Sequence, residues 1–85
     1  MNNTQHVVRN IIADLNCLDV PVDAVTDRTD LYAVGLTSLT SVQLLLEIER
    51  AFDIHVPDAM LTYEMFESID ALADAIGTLQ QADAA

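Results

Sequence analysis

The chain has no lysine, and its three arginines face 14 acidic residues, giving a net charge of −11. Such a surface repels nucleic-acid phosphate and anionic lipid, which excludes both as main partners. It suits a basic patch on another protein, found by electrostatic steering that salt weakens. Cysteine is limited to Cys17, so no intramolecular disulfide is possible and nothing suggests a secreted, stapled scaffold. No run approaches the roughly 18 apolar residues of a membrane span, and "MNNTQHVVRNIIADLN" lacks the basic region and apolar core of an export signal. A cytoplasmic protein with no membrane partner is expected. Period-two alternation over four or more residues is confined to "FDIHV", and there are no internal repeats. An all-α bundle is therefore expected.

What the chain does have is aliphatic mass. An apolar fraction of 52% rules out a disordered acidic tail, which lacks the side chains to offset chain entropy. Eighty-five residues suffice for one domain and not for two. A chain of this size hides only about 60 to 65% of its unfolded surface, so its core is thin.

At 100° per residue, Val7, Val8, Ile11, Ile12, Leu15 and Leu18 fall within an arc of about 140°, with Arg9, Asn10 and Asp14 outside it. The spacing predicts a helix from about Thr4 to Asn16, capped by Asn3 or Thr4. The periodicity then lapses through "CLDVPVDAVTDRTDLYAVGL", a long loop carrying Pro21, Gly35 and a series of aspartates. Loops of this length are functional or packed by their own side chains, and Leu18, Val20, Val25 and Leu31 read as the anchors.

A second helix runs from Thr37 or Ser38 to about Phe52 and must end before Pro57. "DAMLTYEMF" reads as a short third helix, with a helical turn over Ala59 to Thr62. Ser68 reads as the cap of a last helix whose Ile69, Leu72, Ala73, Ile76 and Leu79 share a face, while Asp70 and Asp74 point away. The expectation is one domain over 1–85, ordered from about 4 to 79, with 80–85 a frayed tail.

Helix two is apolar on two sides. Leu44, Leu45, Ile48, Ala51 and Phe52 form one stripe, and Leu39, Val42 and Leu46 form another centred about 140° away. Only one stripe faces the core unless the helix is buried all round. Gln43, Glu49 and Arg50 flank the second stripe, and burying such charges unpaired costs several kcal/mol. An exposed apolar stripe with a charged rim has the anatomy of a protein–protein contact.

The stripe begins one residue after Ser38. A serine at the first turn of a helix is most often its cap. As a catalytic nucleophile Ser38 is poorly supplied: His6 and His55 have no recognisable placement relative to it, and Gly35-Leu36-Thr37-Ser38-Leu39 does not match a G-x-S-x-G elbow. The position also suits a covalently attached phosphate, which free amides and the helix dipole stabilise. Gly35 would let another protein's active site approach the backbone closely.

The segment "DLYAVGLTSLTSVQLLLEIERAFDIHVPD" resembles the central part of an acyl carrier protein. The family pattern is an Asp-x-Leu-like lead-in, Gly-x-Asp-Ser-Leu opening a helix, an apolar run ending in Glu-x-x-Phe, and Ile-x-Ile-Pro-Asp. Gly35, Ser38, Leu39, Val42, Glu49, Phe52, Asp53, Ile54, Val56, Pro57 and Asp58 match it, and "FESIDALADAI" extends the likeness to the last helix. The resemblance implies a monomeric four-helix carrier with a long loop between helices one and two and a short third helix. It implies that Ser38, set among Gly35, Thr37 and Leu39, is esterified by 4′-phosphopantetheine from coenzyme A, through a separate phosphopantetheinyl transferase that uses magnesium. Cargo would then hang from the terminal thiol as a thioester. The chain would be no enzyme: an acyl- or amino-acid-activating ligase and a downstream acyltransferase or synthase would supply the chemistry, docking on Leu39, Val42, Gln43, Leu46, Glu49 and Arg50.

The chain departs from the family where Thr37 replaces the aspartate before the serine. Thr40, Gln43 and Arg50 also stand where helix two is commonly acidic. Partners that read fatty-acid carriers through an acidic helix should bind it poorly. Gly-Leu-Thr-Ser-Leu is similar to freestanding carriers charged with an amino acid by a ligase resembling a tRNA synthetase, and to some peptide-synthetase or polyketide-type carriers. A specialised, aminoacyl-type cargo is therefore expected ahead of a fatty-acid role. A helical interaction module without a prosthetic group is the other alternative, and a hydrolase using Ser38 a distant third. Met60, Leu61, Tyr63 and Met65 read as core, with a chain-binding cleft against helix two as the alternative. Neither histidine has metal-ligand spacing, and the aspartates from 19 to 30 lack the order of a calcium loop.

Overall fold

A computed structural model describes residues 3–84. Helices α1 (Asn3–Leu15), α2 (Ser38–Phe52) and α3 (Ile69–Ala84) are joined by segments containing short 3-10 turns, and no strand occurs among the described residues. The all-α expectation holds, but the count of four helices does not. Pro57 opens a 3-10 turn over Asp58–Met60, Leu61 leaves helical geometry at φ −80° and ψ 79°, and a second turn spans Glu64–Phe66. Two separate turns stand where one short helix was expected, because the chain between them never sustains an i→i−4 ladder.

In α1, Val8 and Ile12 are fully buried and Ile11 and Leu15 pack at the edge of the core. Asn3 and Thr4 are both already helical, so neither is the cap assigned to it. Asn16 closes the helix at φ 50°, a left-handed conformation asparagine tolerates, and its amide donates to the carbonyls of Ile12 (3.1 Å) and Ala13 (3.2 Å). α3 starts where expected: Ser68 Oγ accepts from the Ala71 amide (3.1 Å), and Ile69, Leu72, Ala73 and Ile76 are buried. It runs on to Ala84, beyond the end expected at Leu79.

The long α1–α2 connection is packed rather than loose. Val25 and Leu31 are buried, with Leu18 and Val20 packed against the same core. Its backbone is tied to the start of α3, with the Leu31 amide donating to Glu67 (2.8 Å) and the Asp70 amide to Asp27 (2.9 Å). Arg9 clamps it from α1: Nη1 donates to the carbonyls of Val22 (3.0 Å) and Val25 (2.7 Å), and Nη2 to Asp27 Oδ1 (2.7 Å). One guanidinium thus satisfies two carbonyls and a carboxylate.

After α2, Asp53 turns left-handed at φ 53°, and residues 54–57 belong to neither helix nor strand. Ile54 and Val56 are buried while Asp53, His55 and Pro57 are exposed. The period-two pattern of "FDIHV" is therefore real, but it lines a connection and forms no sheet.

Arg9→Ala should lower stability by about 2 kcal/mol, since three charge-assisted hydrogen bonds vanish at a partly solvated site. For a domain of this size that is a melting temperature lower by roughly 10 °C. An unchanged thermal unfolding midpoint would show that the loop holds without the clamp.

Candidate functional site

The start of α2 is fixed residue by residue. Leu36 is buried, and its amide donates to the Leu31 carbonyl (3.0 Å), which pins the backbone to the core. Gly35 has φ 117°, and a Cβ placed there would lie 2.7 Å from Asp19 Cγ and 2.8 Å from the Asp19 amide nitrogen. Glycine is thus required by the chain's own Asp19, whose amide donates to the Val34 carbonyl (2.7 Å). The chain's own fold thus accounts for this glycine, whether or not another protein's active site approaches the backbone there.

Thr37 is the cap. Its Oγ1 accepts from the Thr40 amide (3.2 Å), and Thr40 Oγ1 accepts from the Thr37 amide (2.8 Å), a reciprocal capping box. Ser38 is therefore the first helical residue rather than the cap. Its side chain is exposed, and no hydrogen bond holds its Oγ among the described residues. The cap serves Thr40 and the main-chain ladder starts at Ser41, whose amide donates to the Thr37 carbonyl (2.9 Å). That leaves the amides of Ser38 and Leu39 as open donors of the first turn, at the positive end of the helix. A free hydroxyl flanked by open amides fits an esterified phosphate.

The two stripes of α2 separate as expected. Leu44 and Ile48 are fully buried, and Leu45 and Phe52 pack at the core's edge. Ala51 shares their angular position but is exposed: it sits in the final turn, where its methyl is too short to exclude water. On the opposite side Leu39 is 70% exposed, Val42 53% and Leu46 56%. Gln43 is exposed beside them, and Arg50, also exposed, pairs loosely with Glu47 at 3.8 Å.

Glu49, expected on the charged rim, has a side chain only 22% exposed. Its Oε2 accepts from the Val56 amide (2.9 Å) and lies 3.5 Å from His55 Nδ1, so it braces the chain leaving α2. The face around Leu39, Val42 and Leu46 is thereby left with little net charge.

Beside Ser38 a cleft of about 610 Å³ opens between α2 and the 61–66 segment. Thr37, Ser38 and Ser41 form its hydroxylic side, and Leu36, Val42 and Leu45 its apolar one. Leu61 and Tyr63 complete the opposite wall, whereas Met65 is buried in the core and Met60 is half-buried, so the expected core-or-cleft quartet divides. Tyr32, Ser41 and Phe66 also line the cleft and went unnoticed in the sequence. Tyr32 and Tyr63 lie 31 positions apart, and no short-range pattern signals that they meet.

No histidine lines the cleft to activate Ser38. Burial pushes the Cys17 thiol up, against a smaller lowering from its own backbone. Among the described residues no group of three His, Cys, Asp or Glu side chains is placed to hold a metal ion.

A family profile described as "Phosphopantetheine attachment site" matches residues 6–76. An aminoacyl carrier protein from Agrobacterium fabrum is 49% identical over 69 residues, 81% of this chain and 83% of that protein. Aminoacyl carrier protein 1 from Bradyrhizobium diazoefficiens is 42% identical over 62 residues, 72% of this chain and 69% of its own. A chain in the crystal structure of an engineered Bradyrhizobium japonicum glycine:carrier protein ligase, complexed with carrier protein from Agrobacterium tumefaciens and ATP, superposes with a TM-score of 0.84. It is 45% identical and covers 89% of this chain and 99% of its own length.

Thr37→Ala should lower stability by about 1 kcal/mol through loss of the capping box. Ser38→Ala, Leu39→Ala and Leu46→Asp should each stay within about 0.5 kcal/mol of the parent. Denaturant midpoints check both, and a large loss at Leu39 or Leu46 would mean that the outer stripe contributes to the core.

Proposed function

This chain belongs to the phosphopantetheine-attachment family, and from that premise we propose that it is a single-domain, monomeric carrier protein with its arm esterified to Ser38. The observation that carries the assignment is the division of labour at the start of α2: Thr37 takes the cap and Ser38 keeps a free, exposed hydroxyl. Bound there, the group supplies a terminal thiol that holds cargo as a thioester. The chain's own residues do the rest. In the transferase reaction Ser38 Oγ would lose its proton and bond to the phosphorus bearing the pantetheine as the pyrophosphate of coenzyme A is cleaved and its nucleotide half leaves, and the open amides of Ser38 and Leu39 would favour the phosphodiester anion. Leu36 and Gly35 hold this segment against the core, so the attachment point is fixed in position.

Leu39, Val42 and Leu46 form the docking stripe, with Gln43, Arg50 and the outer edge of Glu49 around it. A partner that grips the stripe also fixes where the arm emerges, so the carrier contributes position and effective concentration while partners supply the chemistry. A phosphopantetheinyl transferase, an amino-acid-activating ligase and a downstream acyltransferase are the partners of this reading.

The cargo we assign is an amino acid. Supporting it are the relatives named aminoacyl carrier proteins and the neighbour complexed with a glycine ligase. A docking face carrying Thr37, Gln43 and Arg50 in place of acids adds to them. A fatty-acyl cargo is the second reading, favoured by the apolar side of the cleft.

Incubation with coenzyme A, magnesium and a broad-specificity phosphopantetheinyl transferase should raise the intact mass by one phosphopantetheine, and Ser38→Ala should abolish the gain. An unmodified parent chain, under conditions that load a control carrier, would overturn the assignment. In the holo form, Leu46→Asp should slow aminoacyl loading by a ligase about tenfold or more, as truncating a central docking contact does.

A further inference from the structure

The wall of the cleft opposite α2 carries a feature that an alkyl chain does not call for. Tyr32 and Tyr63 stack with ring centroids 4.0 Å apart and planes inclined by 9°. The Tyr32 hydroxyl donates to the Tyr63 carbonyl (3.2 Å), so the pair is held both by its faces and by its edge. Tyr32 packs against the core, and Tyr63 presents an exposed ring to the cleft.

The charge around this platform is negative. Asp30 Oδ1 accepts from the Tyr32 amide (3.0 Å), and Glu64 and Glu67 are exposed on the segment that follows Tyr63. Both phenols titrate above their ordinary range. For Tyr63 the causes are lost solvent contact first and then Asp30, Glu67 and Glu64; for Tyr32 they are lost solvent contact, then Tyr63, Asp30, Glu64 and Glu67. These carboxylates stand beside the tyrosine pair rather than in the cleft lining, which holds no charged side chain of either sign.

We propose that the Tyr32–Tyr63 platform, with Asp30, Glu64 and Glu67 around it, receives the α-ammonium of an amino acid carried on the Ser38 arm and so distinguishes aminoacyl from neutral acyl cargo. This deepens the aminoacyl reading above and rests on it. A neutral chain gains only contact with the apolar wall. An ammonium gains the face of a quadrupole and the field of the carboxylates, a preference of roughly two- to five-fold for the aromatic face alone. Tethering on the Ser38 arm adds to this preference an effective concentration in the millimolar range for a short flexible link.

The chain has two tyrosines and no tryptophan, so tyrosine ring resonances report on this platform alone. Glycyl- and propionyl-phosphopantetheine match atom for atom among heavy atoms and differ in charge. Both can be transferred whole from their coenzyme A thioesters to the full chain, without a ligase. The expected result is a shift of the Tyr32 and Tyr63 ring protons in the glycyl form relative to the propionyl form. That difference should shrink in Glu64→Gln/Glu67→Gln, whose exposed positions leave the fold intact, and vanish at Tyr32 in Tyr63→Leu. Equal shifts from both cargoes, or none from either, overturn the ammonium site alone. A chain whose mass rises with neither thioester overturns the carrier reading along with it.

Discussion

Helix α2 has a single N-terminus, and only one side chain can cap it. Everything proposed for Ser38 depends on Thr37 occupying that place. The Thr37–Thr40 box satisfies two first-turn donors with two neutral hydroxyls, so the adjacent serine enters the helix with its own oxygen unspent. Had Ser38 capped the helix, its lone pairs would be turned inward onto an amide and esterification would cost the helix its start. The capping geometry thereby separates helix stability from covalent chemistry at neighbouring positions. It also explains how threonine can stand where the family carries aspartate: the capping oxygen is retained and only the negative charge is lost.

The rest of the fold serves that geometry. Leu36 is drawn into the core and held to Leu31, Gly35 adopts a backbone angle that lets Asp19 lie against it, and Arg9 fastens the long connection to α1. Glu49 performs the corresponding task at the other end of α2 by holding Val56. A helix restrained at both termini presents a fixed line of side chains, which a docking partner can read without first ordering it.

Periodicity made the helices legible, because burial leaves a 3.6-residue imprint at Val8 and Ile12, at Leu44 and Ile48, and at Leu72 and Ile76. The same arithmetic separated the inner and outer stripes of α2, and the exposure of Leu39, Val42 and Leu46 agrees with it. What escaped was whatever depends on backbone acceptors or distant partners. Arg9 reads as one more polar residue off the apolar arc, because its main partners are carbonyls 13 and 16 positions away and carry no residue-type signal. Glu49 reads as a rim charge until the path of the chain beyond Asp53 returns Val56 to it. The segment 58–66 defeated a helix assignment for a local reason, since Leu61 interrupts two turns that share no ladder. The Tyr32–Tyr63 stack joins segments that only the finished fold brings together.

The outer stripe of α2 carries a hazard as well as a use. Three bare aliphatic side chains in a row are an invitation for two molecules to meet face to face, yet each brings a body of charge −11 to the encounter. Like-charge repulsion between bodies opposes such pairing, whereas a visitor of neutral or positive surface meets no such barrier. The acidic scaffold therefore works as a colloidal stabiliser, keeping the sticky face available by holding its own copies at a distance. Added salt shortens the reach of that repulsion and so weakens the protection it gives.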